Sequence, residues 1–477
     1  VWVAAGTYTG TEENVLALRE KVRVYGGFTG TESAREERNW KTNIAIIDGE
    51  SARRGVLGAS NTTLDGFAIQ RGNASYGGGM YNCSAYPYPA VANCTFFGNS
   101  AQGPYGFGGG MYNNSTSPVV TDCTFVGNSA SYYGTGGGMC NHYSSSPVVT
   151  NCMFTGNSAS KDGGGMYNYS YSSPTVSNCQ FSGNSASGQG GGMCNGLDSS
   201  PEVTSCVFSG NSANEGNGFG GGLHNTSDSM ITNCLFFGNT ARGGGGLYTS
   251  YGSLLLNCTF SGNSAYYGGG INSGYRLLAL NCILWGDSGG EIYSHYTVNI
   301  SYSCVQGGYE GDGNIVENPL FWDSPHGDFR LQPISSCVNS GTSAGAPDTD
   351  IRGISRPQGD GVDMGAYEYS ANDEGDLLPV IHSADTSGDG RIQLPELLRV
   401  VQFYNMGGYS CEANGTASDG FSPGVGASHD CQRHGSDFDV PVWEISLAEL
   451  LRLIQLFNIG GYHVCPGEDT EDGYCPR

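Results

Sequence analysis

Two short phrases alternate through the middle of the chain. The phrase Gly-Gly-Gly-Met-Tyr-Asn occupies residues 77–82. The same phrase or a close variant ends again at Asn113, Asn141, Asn168, Asn195 and Asn225. A second phrase, Cys-x-Phe-x-Gly-Asn-Ser-Ala, begins at Cys94, Cys123, Cys152, Cys179, Cys206, Cys234 and Cys258. Two phrases that alternate at a nearly constant period predict a solenoid, in which each copy forms one coil stacked on the next.

The repeated positions predict the interior of this solenoid. Each cysteine stands two residues before the phenylalanine, so both side chains lie on the same face of one strand. Cys, Phe and Met are residues that prefer the protein interior. Strands of neighbouring coils lie about 4.8 Å apart, so like residues are expected to stack in rows. The predicted rows are Met80, Met111, Met139, Met166, Met193, Leu223, Leu247 and Ile271, and Phe96, Phe125, Phe154, Phe181, Phe208, Phe236 and Phe260, with Leu284 in the last coil.

The asparagine of the second phrase predicts a further row. Asparagine tolerates the left-handed backbone region and can bond its own backbone. Stacked amides on successive coils can also hydrogen-bond to one another. We therefore expect a structural amide ladder that needs no ligand. Its members are Asn99, Asn128, Asn157, Asn184, Asn211, Asn239 and Asn263.

These residues resemble the right-handed parallel β-helix proteins. The phrases Gly-Gly-Gly-Met and Phe-x-Gly-Asn are similar to the repeats of chlamydial-type polymorphic outer-membrane proteins. The resemblance implies an all-β fold, a right-handed parallel β-helix over residues 1–310, followed by a small α-helical calcium-binding domain at the end of the chain. It implies little about function, because β-helices include adhesins, lyases and hydrolases.

Charge and composition narrow the classes of partner. The formal net charge is −24, from 44 Asp and Glu against 20 Lys and Arg. Such a surface repels nucleic acid, so no nucleic-acid partner is expected. No hydrophobic run approaches the length of a membrane span. The chain opens at Val1 inside a strand-like run, which we interpret as the mature form of a secreted, extracellular or cell-surface protein.

The cysteines fall into a periodic and an aperiodic set. The periodic set belongs to the repeats, whereas the tail cysteines are spaced through Gly-rich loops. Spacing of the second kind is typical of disulfides formed in an oxidising compartment. We expect Cys411 to pair with Cys431, and Cys465 with Cys475.

Residues 311–370 form a recognisable closing segment. The stretches 318–333, 350–353 and 362–369 are similar to the end of bacterial surface β-helix proteins of the choice-of-anchor class. The resemblance implies a cap over the last sheet edge, with Cys304 pairing with Cys337 across it. A group of charged residues in this segment could hold a cation, but a buried ion-pair network is favoured. This group is Asp350, Arg352, Arg356, Asp360 and Asp363.

A calcium loop follows the linker at residues 371–380. Residues 385–396 match the calcium-loop pattern position by position, with Gly390 at the sharp turn and Gln393 where a water is usually held. An Asp/Gly turn opening a helix is the alternative, but the amphipathic run after Glu396 favours Ca²⁺. The predicted ligands are Asp385, Ser387, Asp389, Arg391 through its carbonyl, and Glu396.

The tail, residues 381–477, repeats this unit. Residues 391–405 match 444–458, and the loop-plus-helix unit resembles half of a dockerin. The second copy departs from the pattern, with Phe and Val at the positions of the first three ligands. Glu449 could close a capping box with Ser446 instead of binding metal. If a second ion binds, its ligands would be Asp437, Asp439 and Glu449.

Catalytic signals are weak. The charged residues between 76 and 303 are scattered, and Lys161, Asp162 and His224 are expected at surface or turn positions. A β-helix enzyme needs clustered carboxylates or a basic group on an exposed face. The sequence therefore assigns no catalytic residue and favours a non-enzymatic protein. A site in the irregular first coils is the minority alternative, formed by Asp48, Glu50, Arg53, Arg54, Asp65 and Arg71.

These features predict a structural or adhesive solenoid with a calcium-dependent docking tail. The tail is expected to bind a protein partner or another copy of the chain. The strand-like start at Val1 suggests head-to-tail assembly into a filament. The Tyr-, Ser- and Asn-rich stretch 167–171 suggests a glycan-binding face, although a solvated face fits equally well. The rival class is a carbohydrate-active or glycan-binding protein recruited to a complex through its dockerin-like tail.

Overall fold

The computed structural model describes residues 1–214, 218–370, 392, 394–406, 409–411, 421–423, 445, 453, 462–464 and 474–476. They divide into two units, Val1–Tyr369 and Ser370–Arg477. The first unit is a parallel β-helix in which each coil contributes one short strand to each of three long sheets. We name the sheets after the inward residue of their central strands.

The Val sheet has 12 parallel strands, one from each coil. Its strands are Trp2–Ala4, Arg23–Phe28, Thr63–Asp65, Ala90–Ala92, Val119–Thr121, Val148–Thr150, Thr175–Ser177, Glu202–Thr204, Ser229–Thr232, Ser253–Leu256, Leu277–Leu280 and Val298–Ser301. The Phe sheet also has 12 parallel strands. These are Gly6–Tyr8, Ala45–Asp48, Phe67–Gln70, Thr95–Phe97, Thr124–Val126, Met153–Thr155, Gln180–Ser182, Val207–Ser209, Leu235–Phe237, Thr259–Ser261, Ile283–Trp285 and Cys304–Val305.

The Met sheet has 11 parallel strands. They are Asn14–Ala17, Arg54–Leu57, Met80–Cys83, Met111–Asn114, Met139–His142, Met166–Tyr169, Met193–Asn195, Leu223–Asn225, Leu247–Thr249, Ile271–Ser273 and Ile292–Ser294. A ribbon of six two-residue strands joins the Phe sheet to the Met sheet. Its strands are Asn73–Ala74, Ser100–Ala101, Ser129–Ala130, Ser158–Ala159, Ser185–Ala186 and Ser212–Ala213.

The predicted interior rows are confirmed. Met80 pairs with Met111, and Met111 with Met139, so identical residues lie one above the other. The rings of Phe125 and Phe154 stack with centroids 4.7 Å apart and planes within 2°. The seven phenylalanines of the predicted row are fully buried. Each contributes roughly 1.5–3 kcal/mol through burial of its side chain.

The periodic cysteines line the same core as free thiols. The Cys123 thiol, for example, donates to the carbonyl of Thr121 at 3.2 Å. Burial first, and hydrogen bonds with the neighbouring thiols second, raise the pKa of Cys123. The Cys123 thiol is therefore held in its neutral form and acts as part of the apolar interior.

The predicted amide ladder is present. The side-chain amide of Asn128 donates to the Phe96 carbonyl at 2.9 Å and to Asn157 Oδ1 at 2.9 Å. A second internal ladder, on the Met sheet, is not anticipated by the sequence reasoning. It runs from Asn82 to Asn225, with the amide of Asn141 donating to Asn168 Oδ1 at 2.7 Å. In a parallel stack, the Asn that ends Gly-Gly-Gly-Met-Tyr-Asn faces inward two residues after Met.

The Gly-Gly-Gly run is dictated by close backbone packing at a corner. Gly163 has φ of +68°, a conformation that favours glycine. A Cβ on Gly164 would lie 2.4 Å from the carbonyl oxygens of Ser185 and Gly191. Only a residue without a side chain fits between these coils.

The closing segment does more than cover the last edge. The Val305 amide donates to the Ile315 carbonyl at 3.0 Å, so the segment does pair with the last coil, as predicted. It then runs back along the outer face of the Phe sheet. The Ala366 amide donates to Thr259 Oγ1 at 2.9 Å, and Phe329 contacts Phe237 with ring centroids 5.2 Å apart. Besides pairing at the last edge, the segment therefore covers part of the outer face of the Phe sheet, which the sequence does not indicate.

The remaining elements of the first unit are short. An antiparallel hairpin pairs Phe321–Asp323 with Asp328–Leu331, and 3-10 turns lie at Arg35–Glu37 and Ser324–His326. Cys304 and Cys337 are both free and lie in one buried cluster. The expected disulfide between them is not formed in this structure.

The described residues of the second unit show an internal duplication. A helix spans Leu394–Asn405. One hairpin pairs Tyr409–Cys411 with Phe421–Pro423, and another pairs Tyr462–Val464 with Tyr474–Pro476 in the same register. Cys431 and Cys465 lie outside the described residues, so the disulfides predicted for the tail stay predictions. Over the described part of the chain, no helix is both long and apolar enough to cross a membrane.

Candidate functional site

Most of the predicted calcium ligands lie outside the described residues. This holds for Asp385, Ser387, Asp389 and Arg391, and for the second set, Asp437, Asp439 and Glu449. Within the described residues, no cluster of three or more metal-ligating side chains is found.

Glu396 is the one predicted ligand that the structure describes. It stands in the first turn of the helix Leu394–Asn405 and is buried. Ile392, just before the helix, is also buried. A carboxylate in a first helical turn interacts favourably with the helix dipole, so the position fits a capping role as well as a metal-binding one.

The charged residues of the first coils are joined in ion pairs. Arg38 contacts Asp65 at 2.8 Å, and Arg53 pairs with Glu50. Arg54 donates to Asn14 Oδ1 at 2.6 Å and to the Tyr76 carbonyl at 3.1 Å. These members of the minority enzyme hypothesis are engaged in structural contacts.

Asp48 illustrates the same point. It is buried, with Arg71 pairing with its carboxylate and Gln70 donating to it at 3.0 Å. Burial alone would raise the pKa of Asp48, but the hydrogen bonds from Arg71 and Gln70 outweigh it, and the pKa lies below its ordinary value. The group is a permanently charged structural anchor.

The expectation of a surface or turn position is wrong for His224, which lies in the strand Leu223–Asn225, whereas Asp162 lies at a bend, as expected. Both are buried, because the loops after the ribbon fold over the outer face of the Met sheet. His224 stacks on Tyr248 with centroids 5.0 Å apart, and its Nδ1 lies 3.7 Å from the Cys194 sulfur. Burial lowers the pKa of His224 to about 4. A neutral histidine beside a neutral thiol is a packed core pair here, not an activated nucleophile. Lys161 is exposed as predicted.

The charged group of the closing segment forms the favoured ion-pair network. Arg356 pairs at 2.7 Å with Glu368, which sequence reasoning missed, and both side chains are 1% exposed. Asp350 accepts from the backbone amides of Arg352 at 2.7 Å and Glu368 at 3.1 Å. The network connects residues up to 18 positions apart in the segment, as in the contact between Glu368 and Asp350.

Asp360 and Asp363 have different roles in this segment. Asp360 is exposed and does not join the network, contrary to expectation. Asp363 is buried and accepts the Asn339 amide at 2.7 Å. Burial raises the pKa of Asp363 to about 7, more than these hydrogen bonds lower it.

A surface groove lies on the outer face of the Val sheet, toward its C-terminal coils. It has a volume of about 810 Å³. Its floor is the outward row Glu202, Met230, Leu254, Leu278 and Asn299, which pair in register from coil to coil. Apolar floor residues such as Met230 and Leu278 remain exposed, 39% and 46% respectively.

A row of tyrosines stands at the corner beside this groove. Tyr251, Tyr275 and Tyr296 each precede a Val-sheet strand by two residues. Their ring centroids are 6.4 and 5.5 Å apart, and the side chains are 57%, 43% and 57% exposed. The three rings form an exposed aromatic row parallel to the axis of the solenoid. We call these three residues the tyrosine row.

Charged groups flank the tyrosine row. Asp198, Glu202 and Asp228 lie in or next to the groove as exposed carboxylates. The guanidinium of Arg276 lies 5.9 Å from the centre of the Tyr275 ring. Hydrogen-bond acceptors and an aromatic platform are therefore placed along one surface.

The stretch 167–171, which the sequence suggests as an exposed aromatic face, is only partly exposed. Tyr167 and Asn168 in the stretch 167–171 are buried, and Tyr171 is exposed. The tyrosine of Met-Tyr-Asn points outward from its strand but is covered by the ribbon loop. The signal that would have found the tyrosine row is a Tyr placed two residues before each Val-sheet strand in the last coils.

Comparison with known proteins supports the fold. A family model described as a right handed beta helix region matches residues 144–318. The crystal structure of pectate lyase Pel9A aligns over 77% of this chain and 87% of that chain, with 13% identity and a TM-score of 0.39. A likeness of this size does not bear on activity. No curated protein matches the chain. The first unit is a right-handed parallel β-helix.

Proposed function

We propose that the chain is an extracellular adhesive β-solenoid that binds an extended, neutral glycan along the groove beside the tyrosine row. The observation that carries this proposal is the alignment of Tyr251, Tyr275 and Tyr296 along the solenoid axis, with every ring exposed. Exposed aromatic rings that make no core contact are expensive to leave in water and are typical of recognition surfaces.

The repeat of the row favours a polymeric ligand. Successive coils each present one ring, with centroids 6.4 and 5.5 Å apart and planes tilted by 56° and 59°, so a ligand with repeating units can contact several rings at once. Each ring offers a flat apolar face to the C–H face of a sugar, and the groove floor adds Met230 and Leu278. A long ligand gains affinity from multiple weak contacts along the row.

The charges favour a neutral glycan over an acidic one. Asp198, Glu202 and Asp228 can accept hydrogen bonds from sugar hydroxyls. Together with the net charge of −24 they repel a polyanion. Arg276, beside Tyr275, can donate to a ring or hydroxyl oxygen.

Binding to immobilised neutral and acidic polysaccharides tests this function. We expect the immobilised neutral polysaccharides to retain the full chain. Tyr275→Ala should weaken binding about tenfold, the usual effect of removing an aromatic side chain from the centre of an interface. The matched control is Tyr132→Ala, at a different corner, where the tyrosine is 69% exposed. Absence of binding, or equal loss in both variants, would overturn the proposal. Release of new reducing ends from the glycan would identify an enzyme instead.

For the tail we propose a calcium-dependent docking module. The internal duplication of the described hairpins and the buried positions of Ile392 and Ile445 support a compact tandem unit. Ca²⁺ would be held by Asp385, Ser387, Asp389, Glu396 and the Arg391 carbonyl. The module would bind a protein partner or a second copy of the chain.

Calorimetric titration with Ca²⁺ tests the module independently of the groove. We expect one strong site that Asp385→Ala abolishes, while Asp437→Ala leaves it intact because the second loop lacks the complete ligand pattern. Sedimentation and electron microscopy with Ca²⁺ and after chelation then test self-association. Calcium-dependent filaments would support head-to-tail assembly, whereas single particles under both conditions would restrict the tail to other protein partners.

A further inference from the structure

The amide ladder ends on an acid. The backbone amide of Asn263 donates to Asp287 Oδ1 at 2.6 Å, and its side-chain amide donates to the same oxygen at 2.9 Å. Asp287 therefore occupies the next rung after Asn263. In the earlier rungs the other terminal atom is an amide nitrogen that donates to a backbone carbonyl, such as Asn263 to Phe236 at 2.9 Å. In Asp287 this atom is the oxygen Oδ2, which has no hydrogen to donate when the group is ionised.

A second acid closes the turn that follows. Glu291 Oε1 accepts the backbone amides of Gly286 at 3.0 Å and Asp287 at 3.2 Å. The intervening residues, Gly289 and Gly290, have φ of +93° and +90° and form the turn that brings the two acids together. Asp287 is 8% exposed and Glu291 is 9% exposed.

Each acid has one buried oxygen without a hydrogen-bond partner. These are Asp287 Oδ2 and Glu291 Oε2. The other oxygen of each group already accepts two N–H donors. Two buried carboxylates in contact repel each other, and each bare oxygen loses its water without compensation. Both penalties disappear if one proton lies between the two groups.

The surroundings offer no other neutralising group. Asn263 faces Asp287 from the preceding coil, Gly270 lies against Oδ2, and Gln306 bonds the Gly286 amide from the following coil. None of these side chains titrates, so the two acids are each other's only charged neighbours among the described residues. A Cβ on Gly270 would lie 2.5 Å from Oδ2. A divalent ion with six or more oxygen ligands does not fit beside two free oxygens in such close packing.

We propose that Asp287 and Glu291 share a proton at neutral pH, and that this acid pair is a pH-sensitive closure of the amide ladder at the end of the solenoid. The shared proton acts as the donor that an asparagine amide supplies in every earlier rung. Losing it leaves two facing carboxylates and opens the turn between residues 287 and 291.

The direction of the pH effect follows from burial. Burial first, and the charge of Glu291 second, raise the pKa of Asp287, and burial raises the pKa of Glu291. The folded protein therefore keeps protons that the unfolded chain releases at its ordinary carboxyl pKa of about 4. The free energy of unfolding falls as pH rises above that value, until the pair has lost its proton.

Infrared spectroscopy of the full chain detects the proton directly. We expect a protonated-carboxyl band at neutral pH that disappears in Asp287→Asn and also in Glu291→Gln, because the new amide can donate a hydrogen bond to the remaining carboxylate, which then stays ionised without a shared proton. Asp363 contributes a similar band, but it cancels when spectra are compared at the same pH. A wild-type spectrum without this band, or loss of the band in only one variant, would overturn the proposal.

Chemical unfolding supplies a second readout. We expect the wild-type midpoint to fall between about pH 5 and about pH 9, and the midpoint of Asp287→Asn to change less and lie higher at the upper end. Asp228→Asn, which replaces an exposed acid two coils earlier, is the control and should follow the wild type. Equal pH dependence in wild type and Asp287→Asn would contradict the proposal. So would Ca²⁺-dependent stabilisation that requires Asp287, which would show a metal site instead.

Discussion

Asn157 donates both its backbone amide and its side-chain amide to one oxygen, Oδ1 of Asn184, at 3.0 and 2.9 Å. The same double contact joins Asn128 to Asn157 and Asn211 to Asn239. Because each rung is donor to one coil and acceptor from another, the corner of every coil is fixed to its neighbours. The ladder replaces the water that these buried polar groups would otherwise need.

Replacing a central rung should therefore be costly. Asn157→Ala removes the side chain that donates to the Phe125 carbonyl and accepts from the backbone amide and one side-chain N–H of Asn128, and we expect a loss of about 3 kcal/mol or more in unfolding free energy. Chemical denaturation measures the loss. Gln180→Ala, on the exposed side of the neighbouring coil, should change stability by less than about 0.5 kcal/mol. A similar small effect for Asn157→Ala would show that the ladder is dispensable.

The phenylalanine row should behave as a continuous core. Phe154 is stacked on both sides, on Phe125 and Phe181, each with centroids 4.7 Å apart. Phe154→Ala should cost about 3–5 kcal/mol, because the stacked rings leave little room for collapse around the cavity. Phe97→Ala is the control, since its side chain is 52% exposed. Comparable losses from the two substitutions would mean that the stacked row is not the main source of stability.

The closing segment should depend on its buried ion pair. Glu368→Gln removes the charge that balances Arg356 and should cost about 3–5 kcal/mol, since a buried charge is left unpaired. Limited proteolysis should then cut the segment faster, releasing it from the Phe sheet. The control is Asp360→Asn, which also removes a carboxylate from the closing segment but at an exposed position. It should leave the digestion rate unchanged. Resistance of Glu368→Gln to protease would show that the segment is held mainly by apolar contacts.

Asp363 should titrate near neutrality. Its pKa of about 7 in the folded protein lies above the ordinary value of about 4. The unfolded chain therefore releases this proton first, and the contribution of Asp363 to stability falls as pH rises from about 4 to about 7. Difference titration of wild type and Asp363→Asn should show one extra proton released near pH 7. Release at an ordinary carboxyl pKa would contradict the buried environment described for this group.

The repeat makes much of the fold predictable from the sequence. Periodic Met, Phe, Cys and Asn positions report the interior directly, because each row must be apolar or self-complementary on every coil. Met111 and Phe125 lie where the pattern predicts. Register needs no further information, since identical residues stack only when the coils align.

Features that depend on contacts between distant segments are not encoded in the period. The closing segment returns along the Phe sheet, where Ala366 hydrogen-bonds to Thr259. The residues next to Ala366 and Thr259 in the sequence do not indicate this contact. His224 is buried by a loop from the neighbouring ribbon, so the residues next to it in the sequence do not predict its burial. The tyrosine row belongs to irregular corners, where the spacing between copies varies. Asp287 takes the place of the asparagine of the repeat, and its side chain differs from asparagine only in having an oxygen where the amide nitrogen would be.

The most direct test of the central claim is the affinity of the full chain for a length series of one neutral oligosaccharide. The account predicts that affinity rises with length until the ligand spans Tyr251, Tyr275 and Tyr296, and that Tyr296→Ala shortens the length at which it stops rising. Affinity that is independent of length, or a Tyr296→Ala variant with the wild-type profile, would contradict binding along the tyrosine row.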